Sequence, residues 1–239
     1  ERFCLIVVYK NIQRAVFLKR PNRFIAHVNI QDKGVEIVHV KNTGRCAEIL
    51  KAGTPVILEK SGNADRKTAY SLIGAYKGDL LINIDSQAPN RVVYDALIEG
   101  RIKEFPNTDV LKREATFGKS RFDLYFETVN DKGNTEKGLI EVKGVTLEND
   151  GVAMFPDAPT TRGTKHVNEL IEAHKLGYSC FVFFLVQMKG VNRFIPNSFT
   201  DPCFASALLA AKEAGVQIIA YDSIVTENSI TIGDPVKTF

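Results

Sequence analysis

The chain has 239 residues, a length that allows either one large domain or two domains near the common size of ~150 residues. Hydrophobic residues make up 44% and charged residues 25%, which excludes collagen-like, disordered and disulfide-scaffold proteins. The longest apolar runs, residues 4–9 and 180–186, are far shorter than the ~18 residues that cross a bilayer, so we predict no membrane span and expect a cytoplasmic protein.

Short β-strand patterns fill the first third of the chain, from Leu5 to Asn83. Turn residues such as Asp32-Lys33-Gly34 and Asn42-Thr43-Gly44 separate the runs, and helical periodicity is weak. At least five short strands in this length predict a small β-barrel or sandwich. A helical pattern after Asn90, ending near Gly100, marks the boundary, so we assign residues 1–84 to the first domain and residues 85–239 to the second.

The charge is divided unevenly between these two parts. Residues 1–84 carry 14 Lys and Arg against 7 Asp and Glu, a net +7, whereas the remaining residues carry 17 against 21, a net −4. A basic β-domain is typical of a module that contacts a polyanion such as nucleic acid. The alternative is a chance excess of charge on solvated surfaces.

The second part alternates strand and helix patterns. Strand patterns are followed by two helices, one led by Thr164 and one opened by Asp201-Pro202 and ended by Gly215. This order predicts an α/β domain with a central mixed sheet flanked by helices. The strand patterns lie at residues 121–129, 138–142, 180–186 and 216–221.

Two acids and a lysine lie in one predicted hairpin. If the turn is centred on Lys132, then Asp123 and Glu141 are opposite each other and point to the same face. Lys143 shares that face because side chains alternate along a strand. The residues of opposite parity, predicted to anchor the hairpin to the core, are Phe122, Leu124, Ile140 and Val142.

This residue set suits phosphodiester hydrolysis. Asp123 and Glu141 are candidate ligands for Mg²⁺ or Mn²⁺, and Lys143 could stabilise or help generate the attacking hydroxide. Glu114, nine residues before Asp123, is a candidate third acid. The alternative is an exposed, salt-bridged hairpin without catalytic function, because a D…E-x-K pattern is short.

Several basic or polar positions are candidate nucleic-acid contacts. They lie in turns of the first part, beside the acidic pair, and at the start of the Thr164-led helix, where free backbone N–H groups favour an anion. For the helix residues, salt bridging to the acidic hairpin is an equally open alternative. Phe24 and Tyr70 could stack on bases, although we favour a core position for Phe24. The candidates are Arg20, Asn22, Arg23, Asn42, Thr43, Arg45, Arg66, Lys67, Arg121, Arg162, Lys165 and His166.

The four cysteines, Cys4, Cys46, Cys180 and Cys203, have no C-x-x-C spacing and no histidine at ligand spacing. We predict that they are reduced and structural, and that the chain holds no zinc site.

Motifs spread along the chain resemble, in the same order, those of the sugar fermentation stimulation protein A family. They are NTGR at residues 42–45, RKT at 66–68, APN at 88–90, GKSRFD at 118–123, EVKGVTL at 141–147 and FPDAPTTRGTKHVNEL at 155–170.

The resemblance implies an N-terminal OB-fold barrel followed by a restriction-endonuclease-like domain in a DNA-binding protein connected by name to sugar metabolism. In the wider nuclease superfamily the pattern is P-D…(D/E)-x-K, and it corresponds here to Asp123, Glu141 and Lys143. Phe122 replaces the expected proline, and Pro156-Asp157 follows the E-x-K motif and cannot fill that position.

Two functional hypotheses follow. The first is a metal-dependent deoxyribonuclease with a D…E-x-K site, and the second is a non-catalytic DNA-binding regulator of sugar metabolism genes that keeps the nuclease fold. The intact acids and lysine favour the first. A sugar-metabolising enzyme is a weaker third hypothesis, because no Gly-rich phosphate loop is present. The sequence leaves homo-oligomerisation open.

Overall fold

The computed structural model describes residues 5–63, 65–105, 108–129 and 132–239. Cys4 and the Asn130-Asp131 part of the predicted hairpin loop lie outside the described residues. Within them, the chain forms a barrel, a seven-stranded mixed sheet, a small three-stranded sheet and three helices. None of these helices is long and apolar enough to cross a membrane.

The barrel follows a short first strand, β1 (Val7–Val8), which belongs to the second domain. Its antiparallel strands have the order β4-β3-β2-β5-β6-β7, and a parallel pairing of β4 with β6 closes five of them into a barrel. Alternate apolar residues fill the interior: Phe17, Val28 and Val38 are each no more than 2% exposed. The strands are β2 (Ile12–Asn22), β3 (Ile25–Ile30), β4 (Gly34–Val40), β5 (Pro55–Lys60), β6 (Tyr70–Lys77) and β7 (Leu80–Asn83). The predicted barrel is therefore confirmed.

The second domain is built on the seven-stranded sheet, in the order β1-β16-β15-β13-β10-β9-β8. The three-stranded sheet has the order β11-β12-β14. In chain order the elements are α1 (Ala88–Ile98), β8 (Val110–Phe117), β9 (Ser120–Val129), β10 (Thr135–Val145), β11 (Leu147–Asn149), β12 (Val152–Phe155), α2 (Thr161–Lys175), β13 (Ser179–Val186), β14 (Arg193–Pro196), α3 (Pro202–Glu213), β15 (Gln217–Thr226) and β16 (Ser229–Pro235).

The central strand β13 shows how the helices flank this sheet. Val182 and Phe184 pack in the same cluster as the apolar residues of α2 and α3, whereas Phe181 and Phe183 pack with those of α1. Both faces of the strand are therefore buried, which explains its continuous apolar sequence. The predicted central mixed sheet flanked by helices is confirmed.

Two predicted boundaries need correction. Strand β1 pairs with β16, Val7 opposite Ile230, so the first residues of the chain complete the second domain's sheet rather than the barrel. Helix α2 begins at Thr161, because the side chain of Thr160 accepts the N–H of Gly163 and acts as the N-cap. The helix therefore starts three residues before Thr164, and Arg162 lies in its first turn.

The cysteines differ in their environments. Cys46 and Cys180 are buried, and burial raises the pKa of each thiol to about 12, so both are protonated at neutral pH. Cys203 is exposed at the start of α3, which corrects its expected structural position.

Candidate functional site

The hairpin of β9 and β10 has the predicted register. Val129 pairs with Thr135 and Leu124 pairs with Ile140, so the turn is centred on position 132. Continuing this register places Asp123 opposite Glu141. The regular pairing of the two main chains ends at Leu124 and Ile140. Beyond it the side chain of Asp123 binds β10, because its Oδ2 accepts the N–H of Val142 at 2.8 Å.

The Asp123 carboxylate is held between this strand and α1. Its Oδ1 accepts a hydrogen bond from the Asn90 side chain at 2.7 Å. Burial raises the pKa of Asp123, and the negative charge of Glu141 raises it further, while the Val142 N–H, Lys143 and Asn90 act in the opposite direction. The net pKa is raised, mainly because Asp123 is half-buried and in second place because the Glu141 carboxylate lies nearby.

Glu141 is only 2% exposed. Its Oε1 accepts from Lys143 Nζ at 2.5 Å and contacts His166 Nδ1 at 2.5 Å. Burial acts to raise the pKa of Glu141, but the His166 hydrogen bond and the Lys143 ammonium outweigh it, so the net pKa is lowered and the group stays ionised at neutral pH. Its second oxygen, Oε2, is buried and has no hydrogen-bond partner among the described residues.

His166 takes the second of the two roles that the sequence leaves open. It is 5% exposed, so it does not contact phosphate at the surface, and its ring pairs with Glu141 of the acidic hairpin. Its Nε2 accepts a hydrogen bond from Arg162 Nε at 3.5 Å, and because a guanidinium only donates, the ring proton lies on Nδ1 and points at Glu141. His166 therefore positions the Glu141 carboxylate.

A local irregularity in β8 and β9 changes the predicted faces. Leu124, Ile140 and Val142 pack on the α1 side as one group, but Phe122 packs on the opposite side and contacts the His166 ring, with ring centres 5.8 Å apart. The reversal occurs at Asp123, which is opposite Glu114 in the register between β8 and β9. Glu114 has the left-handed φ of 59°, and this conformation interrupts the regular alternation of side chains.

Glu114 itself does not join the acidic pair. Its side chain is 67% exposed and forms an ion pair with Arg121 at 3.4 Å. The expectation of a third acid at Glu114 is therefore not supported, and the Arg121 guanidinium is engaged on the surface with this partner.

The Asp123 and Glu141 pair fits a hard divalent cation. The carboxylate oxygens are the donor type that Mg²⁺ and Mn²⁺ prefer, and the unpaired Oε2 of Glu141 is a buried acceptor that a cation would satisfy. The described residues contain no cluster of three or more His, Cys, Asp or Glu side chains that could form a complete protein ligand set. Mg²⁺ usually keeps several water ligands and needs only one or two protein carboxylates, so a pair of acids suits it.

The barrel loops predicted to contact nucleic acid are organised by Arg20. Its Nη1 donates to the carbonyls of Gly44 and Arg45, and its Nη2 donates to those of Arg23 and Asn42, at 2.6–2.8 Å. All four Nη hydrogens are therefore used within the protein. We interpret Arg20 as a positioning residue for the two loops, which corrects its expected phosphate contact.

The loop after β4 is docked against the segment that precedes α2. The side chain of Asn42 accepts the N–H of Gly44 at 2.7 Å, and Asp157 Oδ2 accepts the N–H of Cys46 at 3.2 Å. A Cβ atom on Gly44 would lie 2.5 Å from Asp157 Oδ2, so only glycine allows this approach. The sequence suggests Asp157 only as an outer carboxylate near the metal, and its contact with this loop could not be predicted because the loop is far away in sequence.

A cavity of about 740 Å³ lies between the barrel loops and the second domain. Its lining includes the predicted residues Arg23, Thr43 and Arg45 from the barrel, and residues 154–160 and Gly144 from the second domain. Arg20, Asn22 and Asn42 also line it. Most of the candidate contacts of the barrel therefore face one cavity, which begins one residue after Lys143.

The other candidate contacts lie apart from this cavity. Arg66 and Lys67 are exposed in the loop between β5 and β6, where Arg66 donates to Ser71. Arg162 is exposed on α2, and Lys165 forms an ion pair with Glu169 at 3.7 Å.

Phe24 and Tyr70, the two candidates for stacking on bases, each lie in the environment expected of the other. Phe24 is 51% exposed rather than in the core, whereas Tyr70 is 5% exposed and accepts a hydrogen bond from Lys33. Phe24 is therefore the exposed ring of the two.

Comparisons with known proteins agree with this architecture. Residues 18–84 match the SfsA N-terminal OB domain, and residues 87–229 match the sugar fermentation stimulation protein RE domain. A sugar fermentation stimulation protein homolog of Alkaliphilus oremlandii is 56% identical over 229 residues, covering 95% of this chain and 97% of that protein. A homolog of Clostridium botulinum strain Langeland is 55% identical over 230 residues, covering 96% and 98%.

A solved structure is also similar over nearly the whole length. The structure of Pyrococcus furiosus SfsA in complex with Ca²⁺ superposes with a TM-score of 0.86 at 27% sequence identity, covering 98% of this chain and 99% of that one.

Proposed function

Because the chain belongs to the sugar fermentation stimulation protein family, with an OB domain followed by a restriction-endonuclease-like domain, we propose that it is a DNA-binding, metal-dependent nuclease. Asp123 and Glu141 hold the cation, and Lys143 lies beside them. The observation that carries this proposal is the Glu141 Oε2 atom, a buried carboxylate oxygen without a partner among the described residues, near the half-buried carboxylate of Asp123.

The proposed cation is Mg²⁺ or Mn²⁺. The Pyrococcus protein is described in complex with Ca²⁺, another cation that binds oxygen ligands, which supports this chemical class for the present chain. When bound, such a cation would polarise a phosphoryl oxygen and lower the pKa of a coordinated water.

Other residues of the protein would stabilise charge, orient the two carboxylates and bind the DNA. Lys143 Nζ lies 2.5 Å from Glu141 Oε1 and can stabilise negative charge on the scissile phosphate. His166 and Asn90 donate hydrogen bonds to Glu141 and Asp123 and so fix the orientation of the two carboxylates. The basic barrel binds the phosphate backbone and brings the strand to this pair.

The test is cleavage of DNA by purified protein with Mg²⁺ or Mn²⁺, with EDTA as the negative condition. We expect Asp123→Ala and Glu141→Ala to abolish cutting while DNA affinity stays within about twofold, and Lys143→Ala to lower the rate by roughly 10²-fold or more while metal still binds. The matched control is Glu172→Ala, which removes an exposed acid of α2 that pairs with Lys175.

Metal binding is measured independently of cutting. At a concentration of 100 times its Kd, a divalent cation should stabilise the wild type by about 2.7 kcal/mol, seen as a higher Tm, and this gain should be lost in Glu141→Ala. Metal-independent cutting, or equal rates in wild type and Glu141→Ala, would contradict the site. DNA binding without any cutting of single-stranded, double-stranded or branched DNA would favour the regulator instead.

A further inference from the structure

The cavity between the barrel and the second domain is sized for a single nucleotide rather than for a duplex. Its volume of about 740 Å³ lies within the range of ~300–1,000 Å³ that is common for sites enclosing one small molecule. We propose that it holds an unpaired nucleotide of the substrate strand, so that the preferred substrate is DNA with a single-stranded segment. This inference rests on the proposed nuclease function and names the substrate class of that site.

The arginines that line the cavity are suited to bind phosphate. Arg45 lines the cavity, is exposed, and has no hydrogen bond or ion pair for its guanidinium among the described residues. Arg23 also lines the cavity, with its guanidinium 6.0 Å from the centre of the Phe24 ring. Both arginines sit on loops that Arg20 fixes through four carbonyl contacts, so the cations are pre-positioned before a ligand arrives.

The residues that the second domain adds to the lining are not suited to phosphate. Asp157, half-buried, presents a carboxylate whose described partner is the Cys46 N–H, and carboxylates accept hydrogen bonds from amino and imino groups. Met154 and Phe155 add partly buried apolar surface next to it. A ligand that suits both sets of residues carries an anion for the arginines and a flat ring with N–H donors for Asp157 and the apolar surface, and a nucleotide has both.

The cavity and the acidic pair share one strand. Gly144 lines the cavity and follows Lys143 directly on β10, and a Cβ there would lie 2.7 Å from Pro89 Cγ. Pro89 is adjacent to Asn90, which holds Asp123. Three residues of extended strand separate Gly144 from Glu141, about 10 Å. A DNA strand rising ~3.4 Å per nucleotide covers this in about three nucleotides. The strand that fills the cavity can therefore reach the carboxylates.

The experiment compares two fluorescent hairpin duplexes in EDTA, one blunt and one with a short single-stranded tail, by anisotropy. We expect the tailed hairpin to bind roughly tenfold more tightly, since each base held on a protein surface contributes on this scale. Arg45→Ala should bring the ratio of the two affinities close to one. Lys67→Ala, the matched control, removes one exposed cation of the barrel outside the cavity and should weaken both hairpins equally.

A second variant tests the cavity without removing a positive charge. Ala47 lines the cavity at an exposed turn, so Ala47→Trp should occupy the space with the arginines intact and also abolish the preference for the tail. Retention of the preference in Ala47→Trp, or equal binding of both hairpins by the wild type, would overturn the inference.

The outcomes also separate this inference from the nuclease itself. Tail preference without metal-dependent cutting would leave the cavity assignment standing and reject the nuclease. Metal-dependent cutting by a protein that binds blunt and tailed DNA with equal affinity would support the nuclease and reject the cavity assignment. A free deoxynucleoside monophosphate should compete with the tail only weakly. If the protein bound the monophosphate tightly and showed no preference for the tail, the ligand of the cavity would be a free nucleotide and not a DNA strand. That result would overturn the proposal.

Discussion

At the scale of single residues, Asp123 is expected to destabilise the metal-free protein. Its pKa is raised in the folded state, first by burial and then by Glu141, so the folded protein binds this proton more tightly than the unfolded chain does. The free energy of unfolding should therefore fall as pH rises from the unfolded pKa of ~3.9 through the folded value.

The isosteric change Asp123→Asn removes this charge and keeps an oxygen that can accept the Val142 N–H. We expect it to raise the Tm of the metal-free protein at neutral pH, by ~2–4 °C for each kcal/mol gained, and to gain much less below pH ~4. Thermal unfolding in EDTA at several pH values measures this. A gain that does not depend on pH would show that the carboxylate charge is not its cause.

The role of His166 can be tested with a pair of substitutions. His166→Ala removes the hydrogen bond to Glu141, and we expect metal affinity to fall by about 10–100-fold. His166→Asn can present an N–H near the position of Nδ1 and should recover much of this loss. Calorimetry with Mn²⁺ measures both affinities, and the Tm of each variant controls for folding. Equal losses in the two variants would indicate only a packing role.

At the same scale, the sequence predicted the acids better than their partners. The positions of Asp123, Glu141 and Lys143 relative to one turn are enough to predict that they share a face, because that turn sets the register of both strands. His166, Asn90 and Asp157 could not be assigned in this way, since each reaches its partner only after a helix or loop has packed on the sheet or barrel.

At the scale of elements, the left-handed Glu114 explains the main error within the hairpin. A glycine or asparagine would have signalled such a conformation, but a glutamate does not. Strand β8 was missed because Lys112, Arg113 and Glu114 form a polar run, which suits an edge strand and resembles a loop. Local alternation therefore predicted the buried strands and failed at the sheet edge.

The docking of the loop after β4 leads to a prediction about Gly44. A methyl group there would meet the Asp157 carboxylate and the Asn42 side chain, at 2.5–2.9 Å, so Gly44→Ala should destabilise the protein by roughly 1–3 kcal/mol. Adding Asp157→Ala should recover part of this loss, a coupling that a double-mutant cycle of urea unfolding would measure.

The control for this prediction is Gly62→Ala, because a Cβ atom on Gly62 has no neighbour within 4 Å. It should change stability by less than about 0.5 kcal/mol. Additive effects of Gly44→Ala and Asp157→Ala would mean that the two residues do not meet.

At the scale of the whole molecule, the net charge of +7 on residues 1–84 should govern DNA binding. The logarithm of the binding constant should fall with the logarithm of salt concentration, with a slope of about −0.7 to −0.9 for each phosphate contacted. Replacing both Arg23 and Arg45 by Ala should make the slope less steep by up to about two such contacts, for every DNA sequence tested. A slope near zero for the wild type would exclude phosphate-driven binding.

The two-domain order could be read from the sequence because strand patterns and helical patterns occupy separate parts of the chain. The pairing of β1 with β16 could not, since Val7 and Ile230 lie near opposite ends of the described chain and two residues of strand carry almost no pattern.

That pairing also sets an order of assembly during synthesis. Strands β2 to β7 are contiguous, so the barrel can close while most of the second domain has yet to leave the ribosome. Strand β1, made before any of them, must wait for β16, the last strand of the described chain. The polypeptide thus inserts a whole barrel between a strand and its only partner strand in the sheet, and such non-local pairing is of the kind that forms slowly.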